Sequence, residues 1–299
     1  MKIEELSKLT GKKLPKKLSP VKEPRNIELE YYRGLKKYAN FMKKYVRENL
    51  MPELKRLQPN YTQDAYVDDI ENIFSRMRTA LLSNIPISLA GKMVNGLELK
   101  NRGRYSSILK SSFGVDVEGV LVNEGIKDLT QAQIAKNATL IKSIPDEFIK
   151  NIETIVYNGV TSGMDYSAIA KQISGIKDIS STFGKLDNRV KVIARNEIST
   201  INSQINQKRL ESLGVELYLW SSSQDERVRG NPSGKYPKAR PRHDTIDGKI
   251  CRWDDPTVYA ENVKQAKEGK WKKRSSINAP LQHPGEPIAC RCVAIPIIE

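Results

Sequence analysis

The feature that most constrains the fold is a change of hydrophobic period at Gly214. Before it, apolar residues recur every three to five positions, the spacing of helices packed on one face. After it, Val215-Glu216-Leu217-Tyr218-Leu219-Trp220 is rich in β-formers and alternates, which predicts a strand. The expected class is α+β: a mainly α-helical N-terminal two-thirds, then a small α+β C-terminal domain with short strands and long loops.

A helix is predicted over residues 27–51, with Tyr31, Leu35, Tyr38, Met42, Tyr45 and Leu50 on one side. Arg33, Lys36, Lys37, Lys43, Lys44 and Arg47 fall largely on the other, and Pro52 is expected to end or kink it. A second helix near 63–83 carries Tyr66, Ile70, Ile73, Phe74, Met77 and Leu81, with Asn60, Thr62 and Asp64 as candidate caps. A third follows near 87–111. Residues 129–142 and 145–162 read as two helices, the latter opening on Pro145-Asp146-Glu147. Tyr166 to Gly175 is short and helical, 176–188 is polar and turn-rich, and a last helix runs from 188 to 213. Residues 1–25 hold Pro15, Pro20 and Pro24 and two lysine pairs without an apolar period, so they read as an arm that gains order only by lying on something else. The expected domains are an extended basic arm (1–26), a helical domain (27–187) and an α+β domain (188–299).

Within the last domain, residues 224–243 are loop-like, with Gly230, Pro232, Gly234, Pro237 and Pro241 close together. Asp247-Gly248 predicts a hairpin over 246–253. Residues 259–274 are polar and read as helical, and Cys290 to Ile298 as a final strand.

Composition narrows the function classes. Lys and Arg number 50 against 35 Asp and Glu, a formal charge of +15 in 299 residues. Residues 1–60 hold 16 Lys/Arg and 7 Asp/Glu, and residues 225–299 hold 15 and 10, so both ends are basic around a nearly neutral middle. That asymmetry suits a polyanionic partner, nucleic acid or an acidic protein surface, or else serves solubility alone. No apolar run reaches the roughly 18 residues of a membrane helix, no signal peptide opens the chain, and three cysteines make no disulfide framework. Synthesis in a reducing cytoplasm fits.

The two histidines and three cysteines, His243, Cys251, His283, Cys290 and Cys292, all lie within residues 243–292. Three chemistries remain open for them. Thiolates and imidazoles are zinc ligands, and Cys290 and Cys292, two apart in a strand, would share a face; yet there is no Cys-x-x-Cys spacing. A cysteine paired with histidine is a nucleophile. Buried thiols and histidines also simply hold loops together.

These residues also carry a resemblance. Val192-Ile193-Ala194-Arg195-Asn196-Glu197 opens the last helix, followed on it by Asn202 or Asn206. Trp220, Asp225-Glu226-Arg227-Val228-Arg229, Arg242-His243, Asp247-Gly248, His283-Pro284 and Cys290-Arg291-Cys292-Val293 come next. The order resembles the phage Mu F-like minor head proteins, also called phage head morphogenesis proteins, most specifically over 188–299. Asn196 replaces the family's usual Thr, and Gly230–Pro241 separates two motifs that usually lie close together.

The resemblance implies a virion component made in the host cytoplasm and placed in the capsid interior or at the portal vertex. Its implied partners are the portal protein, the major capsid or scaffolding protein, and packaged double-stranded DNA held nonspecifically; no membrane is implied. Such proteins associate with the portal during assembly and can leave with the DNA at ejection. Some carry an enzyme domain after this module, and none is expected here. Lys12, Lys13, Lys16, Lys17, Tyr31, Tyr32, Lys36 and Lys37 are the candidate portal or DNA contacts. Arg195, Glu197, Trp220, Asp225, Arg229, His243 and Gly248 are the motif residues. A rival reading takes Arg195, Glu197, Asp225, Arg229, His243 and Asp244 as the site of a DNA-processing or nucleotide-transferring enzyme. The absence of a phosphate loop, of a nuclease-like carboxylate pair and of a nucleophile elbow favours an Arg–carboxylate network and no enzyme.

Overall fold

The computed structural model describes residues 2–58, 65–116, 118–121, 124–175 and 180–298. Its helices are α1 (Ile3–Thr10), α2 (Arg25–Tyr45), α3 (Met51–Leu57), α4 (Ala65–Leu82), α5 (Ser88–Phe113), α6 (Glu124–Thr161), α7 (Tyr166–Ser174), α8 (Thr182–Ser212) and the short α9 (Val263–Lys267). The strands are β1 (Leu217–Ser221), β2 (Ile250–Arg252), β3 (Val258–Tyr259), β4 (Lys272–Lys273) and β5 (Val293–Ile297). The α+β class holds, with long helices first and short strands after Gly214, whose φ of +76 lets the chain turn off α8.

Several boundaries differ from those expected. Pro52 does not stop the second helix: a π-helical turn over Val46–Leu50 joins α2 to α3, and Pro52 sits in the first turn of α3, where a missing N–H breaks no α-helical bond. Pro145 likewise lies inside one helix, α6, rather than opening a second. The candidate caps Asn60, Thr62 and Asp64 lie outside the described residues. Only Val263–Lys267 of the 259–274 stretch is helical, capped by Asn262; β3 and β4 flank it as an antiparallel pair. Asp247-Gly248 makes a turn, but β2 pairs antiparallel with the distant β1, so there is no local hairpin.

The chain forms two compact units that interleave in sequence. The first comprises Met1–Ile27, Val94–Gln133 and Asn196–Glu299; the second comprises Glu28–Met93 and Ile134–Arg195. This replaces the expected three consecutive domains. One 31-residue helix, α8, spans the expected boundary at residues 187 and 188.

The second unit is helical. Leu35, Ala39 and Met42 of α2, Phe74, Met77 and Leu81 of α4, Ile149, Ile152 and Val156 of α6, and Phe183 and Val190 of α8 are buried in it. Its polar links include Lys36 and Lys43 on Asp187, at 2.6 and 2.7 Å.

The first unit is built on a three-stranded sheet in the order β2-β1-β5. Alternation in β1 serves both faces. Tyr218 and Trp220 enter a core with Cys251, Trp253, Leu210 and Phe113, while Leu217 and Leu219 pack on Ile250, Ala260 and Ile297. The N-terminal segment is no free arm. Ile3, Leu6, Leu18 and Val21 are buried in the same core. Lys17 bridges Ile297 of β5, the Leu18 N–H donates to the Pro296 carbonyl at 3.1 Å, and the Ile3 N–H donates to the Leu213 carbonyl at 2.9 Å. Prolines suppressed the helical pattern in the sequence, but four spaced apolar side chains suffice to seat the segment on the sheet and the end of α8.

Candidate functional site

In the first unit, α8 presents a polar stripe to the loop that carries the last two cysteines. Ser199 Oγ donates to the Cys290 carbonyl at 3.1 Å, and Ser203 Oγ donates to the Pro284 carbonyl at 2.7 Å. Asn196 Oδ1 accepts from the Ala289 N–H at 3.4 Å. Gly285 runs so close to the helix that a Cβ there would meet the Ser199 carbonyl oxygen at 3.1 Å, and its φ is +93. Asn206 Nδ2 donates to the Val21 carbonyl at 3.0 Å, and Asn206 Oδ1 accepts from Asn101 Nδ2 at 2.6 Å.

Held in this way, the loop folds Cys290 and Cys292 against His243. His243 Nδ1 lies 3.3 Å from Cys292 Sγ and 3.6 Å from Cys290 Sγ, and all three residues are buried. The N–H groups of Gly285 and Cys292 both approach Cys290 Sγ at 3.4 Å. Cys290 is the more acidic thiol: the hydrogen bond from Cys292, then His243 and the Gly285 N–H, lower its pKa against the cost of burial. The same hydrogen bond, with burial, raises that of Cys292. Neither cysteine lies within β5; a turn with Ala289 at φ +55 precedes them, and it is this turn that brings them together.

His243 arrives from a loop closed at its base. Its N–H donates to the Arg229 carbonyl at 2.8 Å, so residues 230–241 bulge out between two neighbouring backbones. Trp220 packs its ring edgewise on His243, with centroids 6.1 Å apart.

Cys251 and His283 belong to a second cluster around Tyr218. Arg274, fully buried, donates to the Tyr218 hydroxyl at 2.9 Å and to the carbonyls of Val258, Pro280 and Gln282 at 3.0, 3.2 and 2.9 Å. Its guanidinium also stacks 5.3 Å from the Trp220 ring centroid. The Tyr218 hydroxyl lies 3.0 Å from His283 Nδ1. Burial, then the Arg274 charge, push the His283 imidazole down to about 4. Burial pushes the Cys251 thiol up to about 11.

Residues 150–295, from the middle of α6 into β5, match the family described as phage Mu protein F like protein. This segment is similar to phage Mu protein F. The chain is also 28% identical over 293 residues to an uncharacterized protein of Haemophilus influenzae (strain ATCC 51907 / DSM 11121 / KW20 / Rd), covering 95% of this chain and 56% of that protein. The chain thus spans about half the length of this curated relative. No solved structure matches.

The Mu F-like segment contains the whole His/Cys cluster, but only three of the five candidate ligands converge: His243, Cys290 and Cys292. Cys251 and His283 are taken up by the Tyr218–Arg274 cluster. The motif residues serve separate points of the fold. Arg195 pairs with Glu28 at 2.8 Å in the second unit. Glu197 is buried on α8. Asp225 takes the Arg227 guanidinium at 2.8 Å, which lowers its pKa. Arg229 reaches the Ile288 carbonyl, and Asp244 is held by Arg242. Gly248, at φ +75, turns the chain so that its N–H reaches the Trp220 carbonyl at 2.8 Å. The residues of the rival enzymatic reading are therefore turned to different partners.

Of the proposed contact residues, Lys12, Lys13, Lys16 and Lys17 are exposed, Tyr32 is half-buried and Lys37 exposed. Tyr31 is buried against Asn137, with hydroxyl and amide oxygen 3.3 Å apart, and Lys36 is spent on Asp187, so neither offers a free docking group as expected. Sequence reasoning missed Arg274 and Tyr218. Arg274 sits in the run Lys270-Trp271-Lys272-Lys273-Arg274, which reads as a solvated face. The stripe Ser199, Asn202, Ser203, Asn206 was detectable, since its i, i+3, i+4 spacing alternates with buried Ile198, Ile201 and Ile205.

Proposed function

We propose that the chain is a phage minor head protein that works in head morphogenesis at the portal vertex, binding the portal protein and, nonspecifically, packaged DNA. The match of residues 150–295 to the Mu F-like family carries this reading. Contact with the major capsid or scaffolding protein is a further expectation of the same kind. The exposed Lys12, Lys13, Lys16 and Lys17 supply cations, and phosphate contacts need nothing more specific. A chain bound in that way would leave with the DNA at ejection. The role is structural rather than catalytic.

Mass spectrometry of purified particles tests the reading. The protein should be present in a few copies and should copurify with portal protein after mild disruption. Particles that lack it at full infectivity would overturn the role. DNA retention by the purified protein should fall steeply between low and high salt; salt-independent retention would remove the phosphate contacts. Cleavage of DNA by a nuclease-free preparation, lost on His243→Ala, would replace the structural role with an enzymatic one.

A further inference from the structure

We propose that His243, Cys290 and Cys292 bind a thiophilic divalent ion of the zinc class through Nδ1 and the two Sγ atoms. The donor set is right in kind: two sulfurs and one imidazole nitrogen, buried together, with the ligating atoms all within 4.8 Å of one another. It is also right in size. A tetrahedral zinc with bonds of about 2.3 Å to sulfur and about 2.05 Å to nitrogen sets nitrogen and sulfur about 3.6 Å apart. The two nitrogen–sulfur separations here are 3.3 and 3.6 Å. The ion would enter with little rearrangement.

The surroundings suit a metal–thiolate site as well. Two backbone N–H groups, from Gly285 and Cys292, point at Cys290 Sγ, and such donors stabilise a sulfur that carries negative charge. The Cys290 carbonyl is pinned by Ser199, and the Gly285 backbone is pressed on α8, so the sulfurs are held before any ion arrives. His243 is fixed from the other side by its N–H bond to Arg229 and by the Trp220 ring. The three ligands thus come from two separate loops, and the ion would cross-link residues 243 and 290–292. Three protein donors leave the fourth tetrahedral position to a water or another small donor. A cavity of about 10 Å³, room for one water molecule, has Cys292 in its wall together with Ser199, Asn202 and Ser203.

The experiment is elemental analysis of the full-length protein purified without chelator, followed by cobalt substitution. About one ion per chain is expected, with visible d–d bands of a tetrahedral site and near-ultraviolet thiolate charge transfer. Cys290→Ser, Cys292→Ser and His243→Ala should each lower ion content about tenfold or more. Cys251→Ser, at the separate Tyr218 cluster, should stay loaded. Chelator should lower the melting temperature of the wild-type protein, which keeps the test open if a variant fails to fold. A metal-free protein that gives no tetrahedral cobalt spectrum would overturn the proposal. So would a wild-type protein in which Cys290 and Cys292 are recovered as a disulfide or are freely alkylated in the native state.

Discussion

The Tyr218 hydroxyl stands between Arg274 and His283, and the arrangement fixes its direction. A guanidinium only donates, so the hydroxyl oxygen accepts from Arg274 at 2.9 Å and its own proton goes to His283 Nδ1 at 3.0 Å. His283 is therefore an acceptor at Nδ1, neutral in the fold, and in its second hydrogen bond partners the backbone of Trp253.

That relay makes stability depend on pH. The folded imidazole titrates near 4, below its unfolded value of 6.5, so protonation favours unfolding. The stabilisation is complete above about pH 6.5 and drains as pH falls from 6.5 towards 4, by about 3 kcal/mol in total. Denaturant midpoints compared at pH 7.5 and 4.5 should show the loss, and His283→Gln should flatten it. A wild-type midpoint constant over that interval would contradict the relay.

Arg274 is expected to be the least replaceable surface-patterned residue. Arg274→Met strands three carbonyls and a hydroxyl in the core, at a cost of about 3 kcal/mol or more. Arg274→Lys should recover less than half, because one ammonium cannot span acceptors arranged for a planar fork. Thermal melts of both variants check the order.

Gly285→Ala should cost about 1–3 kcal/mol, since φ is +93 and the new methyl meets the Ser199 carbonyl at 3.1 Å. The displaced loop carries Cys290, so native-state alkylation of the thiols should quicken as well. Unchanged melting and alkylation would mean the loop is not seated as described.

The N-terminal segment should behave as core. Leu18→Ala removes a buried side chain beside Val21 and the sheet and is expected to destabilise by about 2–5 kcal/mol. Deleting residues 2–21 should abolish cooperative unfolding of the first unit, rather than yield a folded protein lacking only a docking arm. Melting curves and far-ultraviolet spectra of the truncated chain decide between these outcomes.

The periodic elements were legible because burial imposes a period: Leu35, Met42, Phe74 and Met77 announced their helices, and Tyr218 and Trp220 their strand. What could not be read were features set by distant partners. Leu18 and Val21 lie among prolines and lysines, and nothing local says that β5 waits for them. The five His and Cys residues were visible as a group, but their division into two clusters depends on the Ala289 turn and on the Arg229–His243 bond, which joins the ends of an inserted loop. Asn196 receives the Ala289 N–H, a role for its side-chain oxygen that nothing in the neighbouring sequence announces.

The pairing of residues 16–18 with β5 also sets a clock on synthesis. The Ile298 N–H donates to the Lys16 carbonyl, and β1 cannot gain its second neighbour until residue 297 has left the ribosome. During translation the second unit can close its helices while the first still leaves the apolar faces of α1 and β1 uncovered. A nascent chain stalled before β5 would be a client for chaperones and a substrate for proteases.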